Sequence, residues 1–196
     1  IIWMKKLSIK NLLVVVGALL SIIALIFLAM SGLTATGTTA GVTATTNVAL
    51  GGFVFGGLKF VTTATGLGSK TTNTSTVEGG MSYFVLISVI LLILGLAATI
   101  ASFFLKKQGK LLAIIGGILI IISAIFIMLI KCGGTDVKKI ITAGSITATP
   151  TTAFKDAFKD YSLGTGTICY FVFALLSGLI VTGSQFIPTK KLSKKR

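Results

Sequence analysis

Two uncharged apolar runs, separated by a short lysine-rich joint, constrain this chain more than any other feature. The runs cover residues 83–105 and 111–130, and the joint is Lys106-Lys107-Gln108-Gly109-Lys110. Each run exceeds the ~18 uncharged residues with which a helix crosses a hydrocarbon core of about 30 Å. Lysines do not follow such helices into lipid, and cytoplasmic loops carry an excess of them. The joint is therefore predicted to lie at a cytoplasmic membrane face.

The composition excludes several classes of soluble protein. Hydrophobic residues make up 54% of the chain, charged residues make up 11%, and the mean hydropathy is +1.02, as in integral membrane proteins. The net charge of +14 comes almost entirely from lysine, because Arg196 is the only arginine. A protein that binds nucleic acid would use more arginine, so no nucleic-acid partner is predicted. The lysine bias also suggests a low-GC bacterial source.

Four apolar stretches predict four membrane spans, namely residues 11–33, 81–105, 111–130 and 168–187. The first is longer than the apolar core of a signal peptide, so it is interpreted as an uncleaved span. Residues 1–10, 106–110 and 188–196 carry only basic charges, whereas all four acids lie in the two loops, 34–80 and 131–167. This asymmetry predicts a multi-pass protein of the plasma (cytoplasmic) membrane with both termini cytoplasmic and both loops outside.

The first loop is predicted to contain a small antiparallel sheet. Gly56-Gly57 has the sequence of a two-residue hairpin turn, which would pair Phe55 with Leu58 and Phe53 with Phe60. These four apolar residues would then share one face of the hairpin. The flanking runs 42–50 and 71–77 are predicted to add strands. The apolar face either packs on the ends of the helices or contacts another subunit.

The second loop contains a tandem repeat, Ala-Phe-Lys-Asp-Ala-Phe-Lys-Asp, followed by a tyrosine. At helical spacing Phe154, Phe158 and Tyr161 form one apolar stripe, which predicts a short amphipathic helix over residues 152–163. Such a helix would lie on the bundle or at the lipid surface.

Cys132 and Cys169 flank the second loop at the predicted outer face. A disulfide between them is the favoured prediction, and two free thiols are the alternative. Two cysteines without any histidine do not provide the four ligands of a metal site, and no cofactor is predicted.

The predicted spans contain small and hydroxyl residues in place of ionisable ones. Without a buried carboxylate, lysine or histidine, the chain lacks the groups that ion-coupled transport or hydrolysis would need, so an enzyme is not predicted. Small residues recur at helical intervals and predict close packing of the four helices, with any surplus stripe available for contacts between protomers. The set is Gly17, Ser21, Ala24, Ser88, Gly95, Ser102, Gly116, Ser123, Ala174, Gly178 and Thr182.

The carboxyl-terminal tail is the most basic segment, with Lys190, Lys191, Lys194, Lys195 and Arg196. It is interpreted first as an orientation signal, and contact with anionic lipid is the second interpretation.

The layout resembles the claudin and peripheral-myelin-protein superfamily, which has four spans, inner termini and a β-rich first outer loop. Gly57-Leu58 matches the start of that family's Gly-Leu-Trp triplet, but Lys59 replaces the tryptophan and the first loop contains no cysteine pair. The resemblance implies a claudin-like α+β layout, a four-helix membrane bundle with a sheet in the first extracellular loop. It also implies lateral assembly or service as an accessory subunit.

These features together predict a non-enzymatic membrane protein that acts as a structural, assembly or accessory subunit. Its extracellular loops and helix faces would contact membrane lipids, copies of itself or a larger membrane complex. The alternative is a pore or channel subunit that conducts ions or small solutes along a Thr- and Ser-lined path between protomers.

The predicted orientation can be tested with trypsin, which cleaves after lysine. In intact cells the tail at 188–196 should be protected, and it should become accessible only after permeabilisation. Loop 34–80 contains Lys59 and Lys70 and should be the accessible segment. Cleavage of the tail in intact cells with loop 34–80 spared would contradict the orientation.

Overall fold

The computed structural model describes residues 9–66, 68–105, 108–142, 145–147 and 152–187. The lipid contacts predicted at Lys190, Lys191, Lys194, Lys195 and Arg196 lie outside these residues. So do Lys106 and Lys107 of the lysine-rich joint.

Four long apolar helices form a bundle, and two single helical turns lie in the loops. Each long helix has the length and composition to cross a membrane. The long helices are α1 (Ile9–Ile26, extended by a 3₁₀ turn over Phe27–Ala29), α3 (Tyr83–Phe104), α4 (Gly109–Met128) and α6 (Thr165–Ser184); the single turns are α2 (Gly52–Phe55) and α5 (Phe154–Ala157). The first span was predicted to reach residue 33, but its helical part is shorter because a strand begins at Ser31.

Glycine contacts set the spacing of the helices. Helix α4 packs against α3 and α6, α6 packs against α1, and α1 also touches α3. A Cβ atom placed on Gly95 would lie 2.8 Å from the carbonyl oxygen of Gly116, and one on Gly117 would lie 2.9 Å from that of Gly178. The backbones therefore approach as closely as glycine permits. This confirms the predicted role of the small residues, most of which are buried.

Both loops contribute to one seven-stranded antiparallel sheet. Its order is β6-β5-β4-β3-β2-β1-β7. The strands are β1 (Ser31–Thr39), β2 (Val42–Ala49), β3 (Gly57–Gly66), β4 (Ser69–Gly79), β5 (Val137–Thr142), β6 (Ser145–Thr147) and β7 (Ser162–Leu163). The strands predicted at 42–50 and 71–77 are confirmed as β2 and β4. Strand β1 and the three strands of the second loop were not predicted.

The hairpin predicted at Gly56-Gly57 is wrong. Residues Gly52–Phe55 form the helical turn α2, and Gly56 ends it in the left-handed conformation (φ 75°, ψ 19°) with its N–H bonded to the Gly52 carbonyl at 2.9 Å. Glycine is favoured both at the end of a helix and in a hairpin turn, so the Gly-Gly pair was compatible with either structure. The tight two-residue turn instead joins β1 to β2 through Ala40 and Gly41, both with positive φ.

The amphipathic helix predicted over 152–163 is also wrong. Only Phe154–Ala157 is helical, and it has no side-chain cap. The chain then turns and enters β7, where Ser162 and Leu163 pair with Thr34 and Leu33 of β1. Pairing with an existing sheet edge satisfies backbone groups that a short isolated helix would leave exposed.

The glycine contacts predict a position-specific effect of added volume. Gly95→Ala should destabilise the bundle by about 1–3 kcal/mol, because the methyl group would overlap Gly116 and Ile120. Gly183→Ala is the matched control on α6, where a Cβ meets nothing within 4 Å. It should leave stability unchanged or raise it by up to about 1 kcal/mol. Thermal unfolding of the detergent-solubilised protein measures both, and equal losses would contradict the packing.

Candidate functional site

An aromatic cluster fixes the two loops to each other above the bundle. Phe158 lies at its centre, with its ring centroid 5.2 Å from that of Phe53, 4.9 Å from that of Phe154 and 6.3 Å from that of Phe60. Tyr161 closes the cluster with its ring edge-on to Phe158 at 5.6 Å. Burial raises the pKa of the Tyr161 phenol. The predicted Phe154–Phe158–Tyr161 stripe is thus a core element, which confirms packing on the protein's own fold.

The predicted four-residue interaction face does not form. Phe53 and Leu58 are fully buried and Phe60 is half-buried, whereas the side chain of Phe55 is 88% exposed. Phe53 and Phe55 both lie in the helical turn α2, where residues two apart are rotated by about 200°, so their rings point to opposite sides. The alternative in which these apolar residues pack on the helix ends is confirmed for Phe53 and Leu58. Phe55 is left as a single exposed ring.

Polar contacts join the lower part of the sheet to the bundle. The Thr167 hydroxyl on α6 donates to the carbonyl of Gly32 at 2.7 Å, and the N–H of Gly164 donates to the same carbonyl at 2.8 Å. At the start of α3, the N–H of Ser82 donates to the Phe53 carbonyl at 2.8 Å. These bonds fix the sheet rigidly on the bundle.

Both cysteines are free thiols in this structure, so the predicted disulfide stays a prediction without structural support. Cys132 is exposed beyond the end of α4, and Cys169 lies in the second turn of α6. Its neighbour Tyr170 occupies the position that faces α4, where its hydroxyl lies 3.0 Å from the Ser123 hydroxyl. Successive helix residues are about 100° apart, so Cys169 points away from α4.

The bundle interior holds hydroxyl groups bonded across the helices. Ser88 on α3 donates to the Ser123 carbonyl on α4 at 2.8 Å, and the Tyr170 hydroxyl completes the group. On the other side, Ser177 on α6 donates to the Gly17 carbonyl on α1 at 2.7 Å. These groups satisfy one another, as structural hydroxyls in membrane helices do. The spacing of small residues predicted Ser88 and Ser123, but Ser177 and Tyr170 were not predicted.

Farther from the bundle, residues 35–39, 42–47, 61–66 and 69–74 of β1–β4 form a threonine-rich part of the sheet in which no described side chain is buried. One face carries cross-strand rows of threonine that we call the threonine ladder. Its rows are Thr36-Thr45-Thr63-Thr72 and Thr38-Thr43-Thr65-Lys70. The opposite face in this region carries mainly Ala, Gly and Thr. Because threonine occurs on both faces, hydrogen bonding is the main interaction that this part of the sheet can make with a partner.

Both edges of the threonine ladder are open. Strand β7 pairs with β1 only at Leu33 and Thr34, so no described strand pairs with residues 35–39 on the side of β1 that faces away from β2. Strand β5 pairs with β4 only over residues 75–79, so residues 69–74 likewise lack a described neighbour on the side of β4 that faces away from β3. The open part of β1 carries no charge and no proline, the two features with which proteins usually block strand edges. These edges are the strongest candidate functional site in the described part of the chain.

No protein-family model matches the chain, and no curated protein matches it. Function is therefore inferred from the site alone.

The aromatic cluster gives a matched pair of substitutions. Phe53→Ala should destabilise the protein by about 3–5 kcal/mol, because it empties a fully buried site beneath the sheet. Phe55→Ala removes the same atoms from an exposed site two residues away and should change stability by less than about 0.5 kcal/mol. Thermal unfolding in detergent measures both. A larger loss for Phe55→Ala would contradict the placement of α2.

Proposed function

We propose that the chain is a non-enzymatic structural subunit of a membrane, which assembles laterally with copies of itself through the open edges of the threonine ladder. The observation that carries this proposal is the uncharged open edge of β1, together with an open edge of β4 whose one charge is Lys70, at one end of a bundle able to span a membrane. Unpaired N–H and C=O groups on such edges are templates for pairing with another strand.

Strand direction favours pairing between β1 of one copy and β4 of the next. The four strands form a meander, so β1 leads away from the bundle and β4 returns to it. Two copies inserted in the same sense therefore present antiparallel edges to each other. Pairing of β1 with β1 by a twofold axis along the membrane normal would instead be parallel, and parallel pairs are slightly less stable.

The two open edges also lie at the same height. Ala35 of β1 is in the same cross-strand row as Asn73 of β4, and Thr38 is in the same row as Lys70. A β1–β4 contact would continue the sheet from one copy into the next without a step. Because this contact joins two different surfaces, repetition produces a ring or a row.

The channel alternative requires a path between copies. Leu92, Ile120 and Tyr170 are fully buried inside the bundle, and the helices meet at glycine contacts. A single bundle therefore has no room for a conducting path at these levels. Conductance of reconstituted liposomes remains the measurement that would favour a channel subunit.

The finer features of the proposal have their own support. The distribution of lysine supports a plasma-membrane location with both termini cytoplasmic and the sheet outside. Four long helices with a sheet above them support a claudin-like layout, and assembly through that sheet agrees with what the resemblance implies.

A matched pair of double substitutions tests the edge contact. Thr36→Lys/Thr38→Lys places two charges on the open edge strand β1 and should weaken self-association about tenfold or more, since lysines guard strand edges. Thr63→Lys/Thr65→Lys places the same charges in the same two rows and on the same face, but on the interior strand β3. It should leave self-association unchanged. Single-molecule mass measurement in nanodiscs or detergent gives the oligomer distribution.

The two variants separate edge pairing from stacking of faces. Loss of association in the β3 variant alone would show that copies meet through the threonine face, which would overturn the edge contact. Association that survives both changes would remove the sheet from the assembly interface.

A further inference from the structure

A small polar cavity lies at the end of the bundle opposite the sheet, where α1 and α4 begin and α3 and α6 end. We call this the lysine end. The cavity has a volume of about 180 Å³. That is less than the roughly 300–1,000 Å³ of a pocket for a drug-sized ligand, so it suits a single small group. Its polar lining comes from Lys10, Asn11, Ser102, Lys110 and Gln185.

The charge of the cavity is positive and has no local compensation. Lys10 lies in the first turn of α1, and Lys110 is the second residue of α4. All four acidic residues of the chain belong to the loops at the sheet end. The 20 residues of α4 separate the two ends by about 30 Å, several times the ~8 Å over which salt screens charge. No acidic side chain of the chain lies near these lysines, so the lysine end can attract an anion from its surroundings.

The remaining polar groups also favour an anion. The first turn of α4 borders the cavity at Gly109 and Lys110, and the residue before it, Gln108, makes no side-chain cap. Its free backbone N–H groups and the positive end of the helix dipole thus adjoin the two lysines. The side chain of Gln185 lines the same cavity and is only 5% exposed. One N–H of the Gln185 amide donates to the Ser184 hydroxyl at 2.9 Å, which leaves the second N–H to orient a ligand that the lysines neutralise.

Apolar side chains around the cavity indicate how the anion is presented. Phe103, Phe104 and Phe186 are exposed at the lysine end, and the Lys110 ammonium lies 6.0 Å from the centroid of the Phe186 ring. The end of a membrane-spanning helix lies close to the lipid headgroups and their phosphates, and exposed phenylalanine rings there can contact acyl chains. A ligand with a phosphate beside acyl chains would match both the charged cavity and its apolar surroundings.

We propose that this cavity binds a phosphate group, presented by an anionic phospholipid of the adjoining leaflet. Lys10 and Lys110 neutralise the phosphate, the first turn of α4 donates backbone N–H groups, and Gln185 orients it. The site lies about 30 Å from the threonine ladder, so it does not depend on self-association.

Binding to the detergent-purified full-length protein tests this site. Titration calorimetry would compare short-chain phosphatidylglycerol, short-chain phosphatidylcholine and inorganic phosphate. We expect phosphatidylglycerol to bind most tightly, because its diester phosphate has no adjacent cation. Lys10→Gln/Lys110→Gln should weaken that binding roughly 30-fold. Lys10→Arg/Lys110→Arg keeps both charges and should retain it.

The matched control is Lys59→Gln/Lys155→Gln, which removes two exposed lysines from the sheet end, outside the open strand edges. It lowers the net charge equally and should leave the affinity for phosphatidylglycerol unchanged. Equal weakening in both double variants would show only general attraction of a basic protein and would overturn the site, as would no measurable binding of any probe. Inorganic phosphate binding as tightly as phosphatidylglycerol, with the same dependence on Lys10 and Lys110, would support the phosphate site and assign its ligand to the aqueous phase.

Discussion

The close approach of helix backbones at glycine residues is the constraint on which the rest of the structure depends. Lipid removes the hydrophobic contrast that would hold helices together in water, so contact must come from packing and interhelical hydrogen bonds. Gly95 against Gly116, and Gly117 against Gly178, bring α4 within backbone contact of both neighbours. The serine hydroxyls of the interior reach partner carbonyls only because this spacing is maintained. The sheet then rests on helix ends whose separation the glycines have set.

Both ends of the bundle carry groups for which the described part of the chain provides no partner. At one end the edges of the threonine ladder leave a stretch of β1 and a stretch of β4 without a described neighbour. At the other end, lysines surround a cavity to which the described chain brings no acid. The open edges can pair with another strand, and the cavity can bind an anion. A membrane supplies both, since it aligns copies of the chain and surrounds them with lipid phosphates.

The helices and their contacts were predictable from the sequence, whereas the site was predictable only in part. In lipid, a long uncharged run forms a membrane-spanning helix, and small residues at helical spacing allow helices to pack closely. The loop sequences were compatible with more than one local structure. Gly56-Gly57 suited a hairpin turn and a helix end equally, and the Phe154 repeat suited a helix and a short turn with its rings in a shared core. Tertiary contacts between Phe53 and Phe158, 105 residues apart, decided both cases, and no local pattern reports such a contact.

The threonine ladder illustrates why the open edges were missed and why they are informative. A strand that buries one face shows alternating apolar residues, but β1 alternates Thr with Ala and Gly and buries no side chain beyond Leu33. Such a strand obtains little stabilisation from packing, so backbone pairing must supply most of it. Strands β2 and β3 obtain that pairing on both sides, while residues 35–39 of β1 and 69–74 of β4 obtain it from the described strands on one side only. A neighbouring copy would give the open stretches of β1 and β4 the second pairing partner that β2 and β3 already have.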